Sequence, residues 1–360
     1  MARLKFILLV VFACVLTAGA PELRAATTVI VGTCKVGTRF TKVQDALNST
    51  PAPTIVEVCP GTYPEQVTIS KPVTLQGVPS SNSSLVTLVP PSGGMVPNAT
   101  LLNGDSAAVQ ILVQNVPGAV NLTNLVVNSS NADVGGVAVV AVLYKNTPGT
   151  INHMVTFNVS ATDGGYGIYL EGGSANPTVT IQNSTFDHDE TGLWVQSNST
   201  SSELTAIIEN NVATACATCI DVEAGATVTI SNNMFNTNGQ IGIALSGSTG
   251  SVAGNTIVGG GQIGISSGKA GFSITSNKIY DVSEIGIDLD IAIVEANVTG
   301  NTLTNITGTG IVFCGSPGTP SKVHSNTFVD TKNGYLAPGG FSVAGNTFIG
   351  VTFNAVEPCN

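Results

Sequence analysis

The chain has 360 residues, of which 42% are hydrophobic and only 9% charged, and its formal net charge at pH 7 is −10. So acidic a surface argues against binding to nucleic acid or to anionic membranes, because both need a basic footprint on the protein. The same charge argues against a polyuronate lyase. Such an enzyme binds an anionic substrate and usually places arginine, lysine or bound Ca²⁺ next to it.

The first 25 residues predict a secretory signal peptide. Arg3 and Lys5 form a basic start, and residues 6–16 form an apolar run that is too short to span a bilayer. Small residues follow, and cleavage is predicted after Ala25. Removing residues 1–25 takes away three basic residues and one acidic residue, so the net charge becomes −12. The mature protein is therefore expected to be secreted, periplasmic or located at the cell surface.

Six cysteines remain after this cleavage, and an even number in an exported protein predicts disulfides. Cys34 paired with Cys59 would close the N-terminal end. Cys314 paired with Cys359 would tie the C-terminal tail onto the rest of the chain.

The other two cysteines, Cys216 and Cys219, form a C-x-x-C motif. A redox site or half of a zinc site would use the same spacing. The chain has no second C-x-x-C, and none of its three histidines is close in sequence. We therefore predict a local structural disulfide.

Residues 26–53 are predicted to cap the N-terminal end of the fold. Thr41-Lys-Val-Gln44 fits a capping box, and Val43, Ala46 and Leu47 form an apolar stripe over a short helix. Three short strand patterns follow, separated by Pro-Gly and Lys-Pro turn signals. These strands are predicted at Thr54–Val58, Gln66–Ile69 and Val73–Leu75.

Most of the chain then repeats a pattern every ~20–27 residues, a period typical of a stacked solenoid. Each clear copy has an asparagine, an apolar residue two positions later and Gly-Ile nine positions later, as at Asn255, Asn277 and Asn301. The residue after the glycine is expected to point inward, and the asparagines are expected to form ladders between coils. Residues 54–350 at ~23 per coil predict about 13 coils around one core, followed by a tail over 351–360.

One segment near the N-terminus resembles a known superfamily. Cys59-Pro-Gly-Thr-Tyr-Pro-Glu65, Val67-Thr-Ile69 and Lys71-Pro-Val-Thr-Leu-Gln-Gly77 look like the first coils of the pectin lyase-like right-handed parallel β-helix superfamily. The later repeats resemble the parallel β-helix repeat of NosD-like and surface β-helix proteins. The resemblance covers roughly residues 40–350 and implies an all-β, single-stranded right-handed parallel β-helix. It does not imply one activity, because the superfamily includes lyases, hydrolases, esterases, epimerases and non-enzymes.

The catalytic motifs of the best-known members are missing. We find neither the paired Gln and Asp-Phe motifs of pectin methylesterases nor the Asn-Thr-Asp, Asp-Asp, Gly-His-Gly and Arg-x-Lys set of polygalacturonases. Arg39, the only arginine left after cleavage, belongs to the predicted cap, so the arginine of a lyase is missing too. If the protein is an enzyme, these absences favour a glycoside hydrolase over a polyuronate lyase or a pectin methylesterase.

The residues that follow the Gly-Ile steps predict one exposed face. Side chains alternate along a strand, and neighbouring coils lie ~4.8 Å apart. Tyr169 and Trp194 should therefore be adjacent on this face, with Glu171 and Gln196 beside them. Aromatic rings stack on the apolar faces of sugars, and carboxylates and amides bind sugar hydroxyls. The sequence thus predicts a substrate-binding groove for a polysaccharide.

Candidate catalytic carboxylates follow on the next coil. Asp221 and Glu223 are two residues apart on one predicted strand, which places their Cα atoms ~6.5–7 Å apart. Inverting glycosidases hold two carboxyl groups at about that separation. Asp189, in the acidic turn of residues 187–190 before the Trp194 strand, is a third candidate in a supporting role. The same turn could instead bind Ca²⁺ or be an ordinary solvated turn.

The expected function is recognition, and in an enzyme hydrolysis, of a neutral or weakly charged extracellular polysaccharide. We expect a monomer that needs no cofactor, with Ca²⁺ the one ion left open, and no nucleic-acid or membrane partner. Two alternatives stay open. The protein could be a non-catalytic cell-surface or matrix β-helix that serves as a spacer or adhesion surface. It could also be a periplasmic accessory protein that resembles NosD.

Overall fold

The structure is a computed structural model whose described part winds into a solenoid. Within that part there are one short helix, α1 (Val43–Leu47), and 39 strands that stack in three sheets. The described residues are 27–37, 39–79, 85–130, 132, 134–162, 164–173, 176–198, 204–236, 239–259, 261–268, 272–289, 296–313, 322–336 and 342–356.

Each coil contributes one strand to each sheet in turn, and neighbouring coils pair in parallel register, so that every sheet runs along the whole solenoid. Sheet 1 comprises β1 (Thr28–Val31), β2 (Arg39–Phe40), β3 (Ile55–Val58), β6 (Val73–Gly77), β10 (Val120–Thr123), β13 (Gly149–Asn152), β16 (Thr178–Gln182), β19 (Leu204–Glu209), β22 (Ala226–Ser231), β25 (Thr249–Ala253), β28 (Phe272–Thr275), β31 (Asn297–Thr299), β34 (Lys322–His324) and β37 (Ser342–Ala344). Sheet 2 comprises β4 (Gly61–Pro64), β7 (Val86–Val89), β11 (Val126–Asn128), β14 (Val155–Phe157), β17 (Thr185–Asp187), β20 (Val212–Thr214), β23 (Met234–Asn236), β26 (Thr256–Val258), β29 (Lys278–Tyr280), β32 (Thr302–Thr304), β35 (Thr327–Val329) and β38 (Thr347–Ile349). Sheet 3 comprises β5 (Val67–Ile69), β8 (Ala99–Thr100), β9 (Ser106–Gln114), β12 (Ala138–Lys145), β15 (Gly165–Gly172), β18 (Thr191–Ser197), β21 (Thr218–Val222), β24 (Ile241–Leu245), β27 (Ile263–Ser267), β30 (Ile285–Leu289), β33 (Thr309–Phe313), β36 (Asn333–Leu336) and β39 (Phe353–Val356).

The prediction of an all-β right-handed parallel β-helix is confirmed. The number of coils is smaller than the expected 13, since the 12 described strands of sheet 2 make about 11 turns. The reason is that the coils near the N-terminus are longer than the average used for the prediction. Asn121, for example, lies 47 residues after Thr74, its neighbour on the preceding coil. At the other end, β39 runs to Val356, beyond the predicted end of the solenoid at residue 350.

The predicted asparagine ladder is confirmed. In each step, the side-chain oxygen of one asparagine accepts hydrogen bonds from the backbone N–H and from Nδ2 of the asparagine one coil earlier, at 2.8–3.2 Å. Each Nδ2 also donates to a carbonyl on a neighbouring strand of sheet 1. The ladder consists of Asn211, Asn233, Asn255, Asn277, Asn301, Asn326 and Asn346.

The N-terminal helix is present, but its start is stabilised differently from the prediction. Its N-cap is Lys42, whose side chain makes no capping hydrogen bond, so the capping box at Thr41–Gln44 is wrong. The carboxylate of Glu65 accepts hydrogen bonds from the N–H groups of Val43 and Gln44 at 2.9 and 3.1 Å instead. The Gln44 side chain exchanges two hydrogen bonds with the backbone of Thr68 at 2.7 and 3.1 Å. The Glu65 carboxylate therefore anchors the helix over the open end of the core.

The cysteines follow the prediction only in part. Cys34 and Cys59 form the predicted disulfide. Cys216 and Cys219 are free and buried, so the predicted local disulfide is wrong. Both side chains belong to the apolar core, where a thiol packs as a small apolar group. Cys314 and Cys359 lie outside the described residues.

Nothing in the described ranges offers a helix of the length and apolar character needed to cross a membrane. The predicted signal peptide, residues 1–25, also lies outside those ranges.

Replacing one rung of the asparagine ladder should destabilise the solenoid measurably. The Asn277→Ala substitution removes the acceptor of two hydrogen bonds from Asn255. The buried backbone N–H of Asn255 then loses its partner, whereas its Nδ2 keeps the hydrogen bond to the carbonyl of Ile230. We expect a loss of about 2–4 kcal/mol in the free energy of unfolding, measured by chemical denaturation. Asn297→Ala, at an exposed position of β31, is the matched control and should cost less than about 1 kcal/mol. Equal losses in the two variants would show that the ladder does not contribute specifically.

Candidate functional site

The candidate site lies on the outer face of sheet 3, where three neighbouring strands bring the predicted residues together. Tyr169 of β15 is the register partner of Trp194 of β18, and Trp194 is the partner of Asp221 of β21. Glu171 and Gln196 are partners in the next column. Glu223 directly follows β21, and its N–H donates to the carbonyl of Val195 at 2.8 Å. Parallel register, with no bulge between the coils, produces this arrangement.

Two of these residues are not exposed as the sequence predicted. Tyr169 is 1% exposed and Glu171 is 2% exposed. The cause is the segment of residues 90–105, the covering loop, whose strand β8 pairs antiparallel with β9 on the outside of the solenoid. A second apolar cluster forms beneath it. This cluster comprises Leu101, Ala107, Val109, Leu112, Ala138, Val140, Leu143 and Tyr169.

Side chains on the solenoid and the covering loop hold each other in place. Asn98 exchanges two hydrogen bonds with the backbone of Val109 at 2.8 and 3.0 Å. Lys145 donates to the carbonyl of Thr100 at 2.7 Å and forms an ion pair with Glu171 at 2.6 Å. Burial raises the pKa of Glu171, and the Lys145 ammonium opposes this shift. Glu171 therefore helps to fix the loop, and the exposure predicted for it is wrong.

Three aromatic rings form a compact platform beside the covering loop. We call Tyr166, Tyr169 and Trp194 the aromatic platform. The ring of Trp194 stacks on that of Tyr169 with a centroid distance of 6.1 Å and an interplanar angle of 18°. Tyr166 packs edge-on against both, with centroids 5.2 and 5.3 Å away. Tyr166 and Trp194 are half-buried, so part of each remains accessible to a ligand.

Tyr166 was not among the site residues predicted from the sequence. It precedes the Gly167-Ile168 step, whereas the prediction considered outward positions only after that step. Ile168 packs in the main core, but Tyr166 packs with Tyr169 against the outer cluster. The in–out alternation therefore shifts by one residue at the glycine. If the in–out alternation is extended backwards from each glycine with this shift of one residue, Tyr166 is identified as an outward-facing residue.

Several polar groups lie next to the aromatic platform. The hydroxyl of Tyr169 donates to Oε1 of Gln196 at 2.7 Å, which fixes the amide. Nε1 of Trp194 is buried and has no hydrogen-bond partner. Asp221 and Glu223 are half-buried beside these groups. Burial, and secondly the charge of Glu223, raises the pKa of Asp221 to about 6.

Asp189 does not belong to this face, and its predicted position on the face that carries Trp194 is wrong. It is 1% exposed and accepts hydrogen bonds from Oγ1 of Thr156 and, at 3.0 Å, from the N–H of Val159. A Cβ atom at Gly167 would lie 2.3 Å from its Oδ2, so the carboxyl group occupies the space that this glycine leaves. Burial raises the pKa of Asp189 to about 7. The side chain closes a turn from inside the solenoid.

The other acidic residues of this turn also point to separate partners. Asp187 accepts hydrogen bonds from Thr214 and, at 2.9 Å, contacts Nδ1 of His188. Oε2 of Glu190 accepts from the N–H of Gly165 at 2.9 Å. Across the described ranges, no group of three or more His, Cys, Asp or Glu side chains converges as metal ligands would. The Ca²⁺ alternative for residues 187–190 therefore gains no support from the geometry.

An open cleft of about 540 Å³ lies between the covering loop and strands β9 and β12. Lys145, one of its lining residues, is the register partner of Glu171, so the cleft and the platform share one face. The lining residues are Pro97, Asn98, Ala99, Thr100, Ser106, Gln114 and Lys145.

Comparison with known proteins gives a family and a fold. The model of the right-handed β-helix region family matches residues 140–271 and 199–355. No curated protein matches the sequence of this chain. A mutant tailspike protein of E. coli bacteriophage HK620, in complex with a pentasaccharide, is similar with a TM-score of 0.55 and 11% identity, covering 80% of this chain and 60% of that one. A double mutant of the periplasmic alginate epimerase AlgG is similar with a TM-score of 0.51 and 12% identity, covering 85% and 76%.

The burial of Asp189 predicts a pH-dependent stability. A pKa raised from 3.8 to about 7 means that the folded state binds a proton that the unfolded state has released in this range. Stability should therefore fall as the pH rises from about 4 to about 7, by up to about 4 kcal/mol. Asp189→Asn should reduce this slope, measured by denaturant titration across the pH range. The reduction should be clearest between about pH 6 and pH 7, because Asp221, whose pKa is about 6, adds a slope of the same sign below that range. The exposed Asp330→Asn variant is the control and should keep the slope of the original protein. An unchanged slope in Asp189→Asn would refute this role.

Proposed function

We propose that this chain, which belongs to the right-handed β-helix family, is an exported monomer that binds an extracellular polysaccharide on the outer face of sheet 3. Residues 1–25 would be removed as the signal peptide. The observation that carries the proposal is the aromatic platform, with the half-buried rings of Tyr166 and Trp194 beside Gln196, Asp221 and Glu223. A phage tailspike protein that shares this fold forms a complex with a pentasaccharide, which makes the proposal compatible with the architecture.

The platform suits sugar binding because its rings are held in place before a ligand arrives. Trp194 stacks on a tyrosine that is itself buried, so little conformational freedom is lost when a sugar packs on the indole. Large, rigid side chains with one apolar face and one polar edge are effective in such contacts. Gln196 is fixed by Tyr169, and its Nε2 is the group that can donate to a sugar hydroxyl.

The accessible residues lie along the direction in which the coils stack. They follow three stacked strands, from Tyr166 of β15 through Trp194 of β18 to Asp221 of β21. With ~4.8 Å between neighbouring strands, this stretch is about 10 Å long. A linear glycan lying along the solenoid axis would meet new side chains at each coil.

Hydrolysis is a second candidate function, favoured by one specific observation. The pKa of Asp221 is raised to about 6, by burial and then by Glu223, so its carboxyl group stays protonated in mildly acidic conditions. Asp221 could then donate a proton to the glycosidic oxygen while Glu223 activates a water molecule. Inverting glycosidases use two carboxyl groups in these same roles, one as the general acid and the other as the general base. A binding or adhesion protein without this activity is the competing outcome.

Removing the indole should weaken glycan binding. We expect Trp194→Ala to lower the affinity for a bound oligosaccharide at least about tenfold, because the stacking surface disappears. Isothermal titration against neutral, acidic and amino-sugar oligosaccharides would measure the effect. Tyr280→Ala, a partly exposed aromatic residue on sheet 2, is the matched control and should bind like the original protein. Undiminished binding by a folded Trp194→Ala variant would place the binding surface elsewhere.

The hydrolysis candidate has its own test. Residues 26–360 would be incubated with a glycan panel, and product release would be followed by mass spectrometry. If Asp221 and Glu223 are the acid and the base, Asp221→Asn and Glu223→Gln should each reduce release at least about 100-fold. The rate of the original protein should fall as the pH rises above about 6, because Asp221 then loses its proton.

Asp288→Asn serves as the control for these variants, since Asp288 lies in the same column three coils further on. It should leave product release unchanged. Product release that persists when both Asp221 and Glu223 are replaced would show that the catalytic site lies elsewhere on the protein. No release from any glycan, together with binding that depends on Trp194, would favour the non-catalytic protein.

A further inference from the structure

We propose that the glycan bound at the aromatic platform carries free amino groups, and that carboxylates around the platform bind the ammonium groups. This inference rests on the proposed function and names the substrate class, a cationic polymer of amino sugars, in place of the neutral or weakly charged polysaccharide expected from the sequence.

The first step is the charge around the platform. Asp221 of β21 is the register partner of Trp194, and Glu223 follows two residues later, with its N–H donating to the carbonyl of Val195 at 2.8 Å. Glu171 of β15 is the register partner of Gln196. Burial is the main cause that raises the pKa of both tyrosines, and carboxylates add to the shift. These are Glu190, Asp105 and Asp221 for Tyr166, and Glu171, Glu223 and Asp105 for Tyr169.

The second step is that these charges are poorly compensated within the protein. Lys145 pairs with Glu171, and its ammonium also binds the carbonyl of Thr100. Oε2 of Glu171 still has no hydrogen-bond partner, although this side chain is only 2% exposed. The salt bridges in the described part of the chain leave the other four carboxylates without a lysine or arginine partner.

The third step is the match between this surface and a cation. A partly buried carboxylate is stabilised by an opposite charge, and a charge-assisted hydrogen bond from an ammonium group satisfies it directly. The faces of Tyr166 and Trp194 attract cations as well, because their ring quadrupoles are negative. A uronate would bring a negative charge close to carboxylates that have no lysine or arginine partner. A neutral sugar would leave those carboxylates without a counter-charge.

The test compares two ligands that differ in charge but not in backbone. These are the β-1,4-linked hexamers of glucosamine and of N-acetylglucosamine, with hexagalacturonate as the anionic probe. Isothermal titration at about pH 6.5, above the pKa of Asp221, should show that the glucosamine hexamer binds about tenfold more tightly than the N-acetylated one in low salt. This preference should shrink to about twofold or less in about 0.5 M salt, because screening weakens the ion pairs.

Variants then test which carboxylates produce the preference for the glucosamine hexamer. The double variant Asp221→Asn/Glu223→Gln should lose about five- to tenfold in affinity for the glucosamine hexamer and less than about twofold for the N-acetylated one. The control is Glu209→Gln/Glu284→Gln, which removes two charges from other parts of the solenoid surface. It should keep the preference. The salt series on the unmodified protein gives an independent reading if the double variant does not fold.

The outcomes separate the two proposals. Equal or tighter binding of the N-acetylated hexamer, still lost in Trp194→Ala, would overturn the amino-sugar inference and leave the proposed function in place. Tighter binding of hexagalacturonate would also overturn the inference. A preference that survives both high salt and loss of the two carboxylates would show that charge is not its origin. No binding of any oligosaccharide, in this panel or in the wider one, would refute both proposals.

Discussion

The register between neighbouring coils is the constraint on which the rest of this structure depends. A parallel solenoid makes its sheet hydrogen bonds between coils, so each coil is held only by the one before it and the one after it. The buried ladder from Asn211 to Asn346 adds a side-chain contact at every step and satisfies the amides that it buries. A slip of one residue would break the ladder and turn core side chains outward at the same time.

Fixed register converts the sequence repeat into columns of side chains. Tyr169, Trp194 and Asp221 are consecutive members of one column, although about 25 residues separate each from the next in the chain. The covering loop interrupts this regularity by adding one antiparallel strand outside the solenoid. It buries the first part of the column and ends where the platform begins. The site therefore lies at the boundary between the covered and the open part of sheet 3.

Features that arise from the repeat were predictable from the sequence, whereas features that depend on a distant segment were not. The period, the Gly-Ile steps and the asparagines predicted a stacked solenoid, and the alternation placed Tyr169 beside Trp194. The resemblance of residues 59–77 to the superfamily implied that the solenoid is a right-handed parallel β-helix. The burial of Tyr169 depends on a loop that departs from the repeat and packs at a distance, which no local pattern encodes. Asp189 was misplaced because its turn folds inward into the space beside Gly167. Cys216 and Cys219 were assigned to a disulfide because the number of cysteines in the exported chain is even. In the structure both pack as free core residues.

The boundary position also explains why these carboxylates differ from others on the solenoid. Asp221 lies next to the rings that the loop has partly enclosed, so its charge is less hydrated and its pKa rises. Asp288 belongs to the same column but stands three coils away, about 14 Å from Asp221 and outside the aromatic cluster. The two residues have the same place in the sequence repeat. Only the fold places one of them where aromatic surface, restricted solvent and uncompensated negative charge coincide, and that combination is what a cationic sugar polymer would require.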